Sequence, residues 1–592
     1  MRIRKTFVAA ALAAVLLGGC STGTGSAAGT TTTAATAATA AVDASAVDGT
    51  LTAAAVLAAN KAAHTAAAAD ASNAAEITLS GTSAVSSADG VTVDGSTVTI
   101  TKAGTYRVSG TLTDGQLVVN APDATVTLIL DGASITSSTT AAIAATEVGE
   151  LVVQLADGTT SELADTSSYA EDADVNAALF SAGDLTVTGG GTLTVTGNGN
   201  DGIASKDGTL IQSGTVTVRA KDDGIRGKDY VVVDGGTITV TAGGDGVKAD
   251  NADDADSGYV AVAGGALTVE AGGDGVDAVT DIVTTGGTVT VTSGGGHTVQ
   301  PSDDTSAKGL KSGVITVLEG GTTSVDASDD AVHSDGAVHF AGATVTVASG
   351  DDGVHAEGQQ IVDGGSLTVT AAVEGLEAAD FVLNDGTVRV TSSDDGINGA
   401  GGTGETTQGG FGGGGNDVGD YSVTVNGGTL VIDSEGDGLD SNGTATITGG
   451  TVVVNGPQRN GNGALDVNGS FTISGGVLLA AGSAGMVVAP GTDSAQGWLS
   501  ATLDSAVAAG TTVQIVNSGG DVVASYVTSK SVQNIVFSSS AVTSGEQYTI
   551  HTGGSASGDS TGGLSTSGEL GSATQVATVT AGDAPAGGHG PR

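Results

Sequence analysis

The chain has a single cysteine, Cys20, so no disulfide can form within it and its stability must come from elsewhere. Aromatic residues are scarce as well, with 7 Phe, 7 Tyr and 1 Trp in 592 residues. Together with 99 glycines and few long aliphatics, that supply cannot build several ordinary hydrophobic cores. It also leaves little for the aromatic platforms that stack on crystalline cellulose. Basic residues are few: Lys+Arg is 18 against Asp+Glu 65, a formal net charge of −47. Nucleic acid and anionic membrane surfaces are therefore poor partners. The acids are too regularly placed for a disordered tail, and metal cations are their natural counter-charge.

No apolar run is long enough to cross a bilayer. The longest N-terminal one, Phe7 to Leu17, follows Arg2, Arg4 and Lys5 and ends in Leu17-Gly18-Gly19-Cys20. A basic start, a short apolar stretch and small residues before a cysteine resemble a lipoprotein signal peptide over 1–20 with Cys20 as the lipidated residue. The alternative is a plain secretory signal with an incidental cysteine. The protein is expected to be exported and anchored at the surface of a bacterium, touching the membrane only through that lipid. Residues 21–75, rich in Ala and Thr, are read as an envelope spacer, since they cannot bury enough surface to fold alone. Val56 to Ala69 could be helical but lacks an apolar stripe.

What the chain has is repetition. A turn of the form x-Asp-Gly-aliphatic recurs at Asp201, Asp223, Asp245, Asp274, Lys308, Asp330, Asp352, Glu374, Asp395, Asp437 and Gly463. Five of the steps are 22 residues, as from 201 to 223 to 245, and the longer ones read as one unit plus an insertion. Thr/Val runs such as Gly236-Thr-Ile-Thr-Val-Thr241 precede each turn behind Gly-Gly corners. A period in the low twenties without helical stretches implies an all-β solenoid whose rungs bury their inward faces only against one another. The predicted domains are an all-β parallel solenoid over 76–490, a small antiparallel β cap over 491–552 and a flexible tail over 553–592. The aliphatic column from Ile203 and Ile225 to Leu465 is placed inward. The residue after each points outward: Ala204, Arg226, Lys248, Asp277, Lys311, His333, His355, Glu377, Asn398, Asp440 and Asp466.

In such a stack, equivalent residues lie about 4.8 Å apart. Two carboxylates at that distance repel by roughly 0.9 kcal/mol in water and about 3.5 kcal/mol at an effective dielectric of 20. A column of aspartates thus calls for cations, and several calcium ions suit it. The candidate ligands are Asp201, Asp222, Asp223, Asp245, Asp274, Asp330, Asp352, Asp395 and Asp437, with Asp250, Asp253 and Asp254 on the insertion of the 29-residue step. The alternative is that these aspartates only brace glycine turns. The outward cations Arg226, Lys248 and Lys311, with Lys228, His333 and His355, are candidate glycan ligands, because a uronate polymer presents carboxylates to Lys and Arg. They could equally neutralise the neighbouring aspartates. Three insertions, at the 29-, 34- and 42-residue steps, are expected to wall one face. Asp254-x-Asp256-x-Gly258 is only a fragment of an EF-hand loop, no Ser/His/Asp or Cys/His grouping occurs, and the seven histidines show no zinc spacing.

The run Asn176-Ala-Ala-Leu-Phe-Ser181, the rungs Leu185 to Asn198, Asn200 to Lys206, Asp222 to Lys228 and Gly243 to Asn251, the insertion Gly409 to Gly415 and the closing runs Gly463 to Asp466 and Gly485 to Pro490 carry a resemblance. They resemble the bacterial carbohydrate-binding domain family typified by a clostridial surface protein that binds cellulose and polygalacturonate. The resemblance covers about residues 76 to 552. It implies a calcium-containing right-handed parallel β-helix, shaped like pectate lyases but a binder, with Asp223, Asp245 and Asp274 among its calcium-rich turns. Lys308, Glu374 and Gly463 interrupt that column. The reading is a monomeric, calcium-dependent, non-catalytic binder of an acidic polysaccharide such as polygalacturonate. The alternatives are a calcium-dependent lyase on the same fold, with Arg226, Lys248 or Lys311 as base, and a structural stalk or adhesin.

Overall fold

Alternation of β-branched and small polar residues sets the local structure. In Thr237–Ala242, for example, Ile238, Val240 and Ala242 are buried while the three threonines face outward. Such strands cannot bury one face alone, and they stack. The computed structural model describes residues 42–66, 71–300, 306–401 and 418–583. The expected signal peptide with Cys20, the first part of the spacer and the Gly409 to Gly415 run lie outside them.

One rung consists of Ile225–Gly227, Tyr230–Val233 and Thr237–Ala242. The next consists of Val247–Ala249, Tyr259–Val262 and Ala266–Ala271. Each strand pairs in parallel with its equivalent one rung on: Ile225 with Val247, Tyr230 with Tyr259, Thr237 with Ala266. The architecture is an all-β solenoid with one continuous apolar interior running from Ile77 to Val536. The second glycine of each Gly-Gly corner, such as Gly236 at φ +89°, turns the chain where an L side chain would be strained.

The Asp-Gly turn has its own packing reason. Gly224 N–H donates to the Asp245 carbonyl and Ile225 N–H to the Gly246 carbonyl, and the same pair of bonds recurs rung after rung to Gly438 and Leu439. A Cβ on Gly224 would lie 2.2 Å from Val240 Cγ1 and 2.5 Å from the Gly246 carbonyl oxygen. Close stacking of this backbone ladder, not a left-handed torsion, fixes glycine after the aspartate. Ala331 and Ala464 take its place in two rungs.

The last rung strand, Val477–Gly482, pairs in parallel with Thr451–Asn455 and antiparallel with Val532–Ser538, which also pairs with Trp498–Val507. A five-stranded antiparallel sheet follows. The tail expected from Gly553 is corrected here: Thr574–Thr580 is a strand paired with Gln547–Thr552, and Leu564 is buried against Tyr526. Its Thr-Gln-Val-Ala-Thr-Val-Thr alternation supplies the strand. The spacer reading also changes. Residues 42–66 form a strap on the solenoid, with a helix at Ala53–Ala59 capped by the Thr52 side chain instead of one over Val56 to Ala69. Ala53 and Val56 pack on Tyr230, Tyr259, Ile315 and Val317, and the Tyr259 hydroxyl donates to the Lys61 carbonyl at 2.9 Å. Outward apolar residues on these strands supply the partner that the spacer alone lacks.

Candidate functional site

The short strand after each acidic turn carries the two columns of interest. Its register runs Ile203, Ile225, Val247, Val276, Leu310, Val332, Val354, Leu376, Ile397, Leu439, Leu465, all buried. The adjoining residues from Arg226 to Asp466 face out in the same order but are only half-exposed. Ala204 is buried with Ala177 and Phe180 instead, because Phe180 covers it. The insertion at 250–258 follows this strand, as do residues 400–401, whereas 294–300 precede the turn.

The aspartates of the turn are braces between rungs. Asp223 Oδ1 accepts the Asp245 N–H at 2.9 Å, Asp245 Oδ1 the Asp274 N–H at 2.8 Å, and Asp274 Oδ1 the Lys308 N–H at 2.8 Å. Asp330, Asp395 and Asp437 accept from Asp352, Asp437 and Gly463 in the same way. In the N-terminal and middle rungs the remaining carboxylate oxygens meet cations of the outward column. Arg226 lies 2.9 Å from Asp201 and 3.3 Å from Asp250; Lys311 lies 3.0 Å from Asp274 and 3.3 Å from Asp277. Lys248 binds Asp245 and stands 3.7 Å from both Asp223 and Asp277. Lys308 sits between Asp329 and Asp330. His333 and His355 bond the aspartates of their own turns, Asp330 at 2.8 Å and Asp352 at 2.9 Å.

Burial acts to lower the Lys248 and Lys311 pKa values, but the surrounding aspartates outweigh it and hold both above the ordinary lysine range. His355 is likewise pushed up to about 9, with Asp352 and Asp330 overriding burial. Asp222, Asp253 and Asp254 do not join the column: all three are exposed, and Lys228 reaches Asp253 only at 3.4 Å across solvent.

Past His355 the column changes character. Glu374, Glu377, Asp395, Asn398, Asp437 and Asp440 share these rungs, and no Lys or Arg pairs with any of them among the described residues. Burial, reinforced by the neighbouring carboxylates, pushes Asp395 up to about 7, Asp437 to about 6 and Asp440 to about 8. The Asn398 amide donates to Glu374 at 2.8 Å while its Oδ1 is buried without a hydrogen bond. A cation-poor, oxygen-only set with an orphaned amide oxygen fits calcium. Asp201, Asp274 and Asp330 fit it less well, since both oxygens of each already meet N–H donors, those of Arg226, Lys311 and Lys308 among them. Asp395 and Asp437 instead brace the next rung through one oxygen.

The sequence placed His333 and His355 in one outward column as glycan ligands, but not as a pair of metal ligands. His333 and His355 are 22 residues apart, one rung, and their rings stack with centroids 5.0 Å apart. Measured by the solenoid period instead of by zinc-finger spacing, that separation was the available signal. Beside them an open cleft of about 620 Å³ is lined by Asp335, Glu357, Gln359, Asp380, Asp420 and Tyr421.

Residues 94–353 match the family model described as carbohydrate-binding domain-containing protein. The family resemblance holds. A carbohydrate-binding domain-containing protein of Acetivibrio thermocellus is 36% identical over 139 residues, 23% of this chain and 49% of that protein. The chain thus spans about half the length of the curated relative it matches. A solved structure of a polysaccharide lyase-like protein from C. thermocellum, a gadolinium derivative, aligns with 35% identity and a TM-score of 0.37, covering 38% of this chain and 92% of that one. The matched family segment contains Arg226, Lys248, Lys311 and His333, while the cation-poor rungs lie beyond it.

Proposed function

We propose that this protein is a non-catalytic polysaccharide binder, a right-handed parallel β-helix whose calcium lies in the rungs from Glu374 to Asp440. The observation that carries the calcium assignment is the orphaned Asn398 Oδ1 among half-buried carboxylates that lack cations. Bound there, calcium would supply positive charge and open coordination positions for sugar carboxylates or hydroxyls. The chain's own residues hold the ion and brace the rungs. A uronate polymer such as polygalacturonate would be held through calcium more than through Arg226, Lys248 and Lys311, which are already engaged by aspartates.

A lyase base needs a cation whose proton is easily lost. Lys248 and Lys311 are shifted the other way, which favours binding over cleavage. A second reading has specific support: Asp335, Glu357, Asp380 and Asp420 around Tyr421 offer acceptors for the hydroxyls of a neutral glycan. Calorimetric titration with calcium tests the assignment. Wild type should bind, and the paired change Asp395→Asn with Asp440→Asn should weaken binding at least tenfold. Unchanged binding in that variant would refute the site. Incubation with polygalacturonate and calcium should release no ultraviolet-absorbing unsaturated uronides; steady release would establish the lyase instead.

The Leu17 to Cys20 motif supports surface anchoring through a lipid. Cys20→Ala should move the protein from the membrane fraction to the medium or leave it unprocessed. Unaltered fractionation would end the lipoprotein reading.

A further inference from the structure

Two rungs of the outward column carry imidazoles in the midst of carboxylates, a donor set different from the oxygen-only rungs that follow. Asp330, His333 and His355 can each bring one ligand atom within 4.8 Å of the others, and so can Asp352, His355 and Glu377. His355 belongs to both groups. Its Nδ1 lies 2.9 Å from Asp352 and 3.8 Å from Glu377. Its Nε2 is buried, makes no hydrogen bond and has Glu357 Oε1 at 3.6 Å. His333 Nδ1 lies 2.8 Å from Asp330, and its Nε2 lies 3.2 Å from Asp335.

We propose that the two overlapping groups about His355, with His333 and Asp330 on one side and Asp352 and Glu377 on the other, offer a site for one divalent transition-metal ion of the zinc class. Donor chemistry separates it from calcium. Calcium takes oxygens, whereas imidazole selects zinc, copper, nickel or cobalt, and carboxylates complete their shells. Ligand atoms around a tetrahedral zinc lie about 3.4 Å apart, given bonds of about 2.1 Å. Groups already within 4.8 Å of one another need draw in by no more than about 1.4 Å to reach that spacing. The backbone is held for this by parallel pairing of Val332 with Val354 and Val354 with Leu376, so the adjustment falls on side chains. Asp335 and Glu357, on the Nε2 side of His333 and His355, are the outer carboxylate partners that metal-bound histidines ordinarily keep. Because His355 is common to both groups, filling both at once would need its ring to bridge two ions, and a single ion is proposed. The site lies at the edge of the acidic cleft, since Asp335 and Glu357 line that cleft and face the two imidazoles.

The test uses the full, untagged chain, first stripped with chelator and then titrated with zinc or cobalt in excess calcium. One ion per chain should bind, and cobalt should give visible absorption typical of mixed nitrogen and oxygen ligation. His355→Gln should lower zinc affinity at least tenfold, and His333→Gln with His355→Gln should remove the site. His297→Gln, at the separate Asp326 pair, should behave as wild type. X-ray absorption of the zinc-loaded wild-type protein should show imidazole scattering, a reading that needs no variant to fold. An oxygen-only shell, displacement of zinc by millimolar calcium, or equal zinc binding by the double variant would each overturn the proposal. None of these outcomes bears on glycan binding, which is assayed separately.

Discussion

Asp245 shows how one residue type serves two ends in this protein. Its Oδ1 takes the Asp274 N–H of the next rung, and its Oδ2 holds Lys248. Losing the acceptor leaves a backbone donor on Asp274 unsatisfied, and losing the charge leaves Lys248 with two aspartates at 3.7 Å. Asp245→Ala should therefore destabilise the chain by about 1 to 3 kcal/mol, the cost of an unpaired buried polar group. Asp245→Asn keeps a carbonyl acceptor and should cost clearly less. Chemical denaturation of the two variants compares them, and equal losses would show that the backbone bond contributes nothing. This double role was not legible in the sequence. A 22-residue step says which residues stack, yet it leaves open whether a carboxylate turns to a neighbouring N–H, to a lysine or to a metal. The bracing role and the neutralising role of the cations prevail in the rungs around Arg226, Lys248 and Lys311. Room for calcium is left in the rungs around Asn398.

At the scale of the rung, those C-terminal carboxyls give the protein a pH signature. In the unfolded chain an aspartate ionises near its ordinary 3.8, whereas burial and mutual repulsion raise Asp395, Asp437 and Asp440 to about 7, 6 and 8 in the fold. The folded state thus binds more protons between about pH 4 and 8, and its stability falls as pH rises through that window. In chelator, the melting temperature should drop from about pH 5 to about pH 8. Calcium should restore it most at the upper end, adding about 2.7 kcal/mol when present at roughly a hundredfold its dissociation constant. A flat profile in chelator, or no gain from calcium at the alkaline end, would count against ionised, metal-seeking carboxyls. The rung itself is legible in the sequence, because period, Gly-Gly corners and alternating Thr/Val all point to one register. Ile203 through Leu465 stack in the order the repeat sets. The repeat set His333 and His355 one rung apart, but their metal-ligating capacity was not legible, because spacing along the chain was compared with local metal motifs.

Across the whole molecule, the two ends departed most from expectation. The strap over Ala53 and Val56 and the strand Thr574–Thr580 are built from small or weakly apolar residues that look unable to fold alone. Both are ordered by what the solenoid and its cap present to them, Tyr230 and Tyr259 on one side and Gln547–Thr552 on the other. Composition over a window reports only what a segment can bury by itself, so partners supplied from far along the chain go unseen. The chain is strongly acidic, and Arg226, Lys248 and Lys311 of the outward column are engaged by aspartates, so the proposed function makes calcium the link to an acidic glycan. Affinity electrophoresis of the wild-type chain through gels containing polygalacturonate or a neutral glucan, each run with calcium and with chelator, tests this most directly. The expected result is retardation by polygalacturonate in calcium that disappears in chelator. Free migration through every polysaccharide in calcium would contradict calcium-bridged glycan binding.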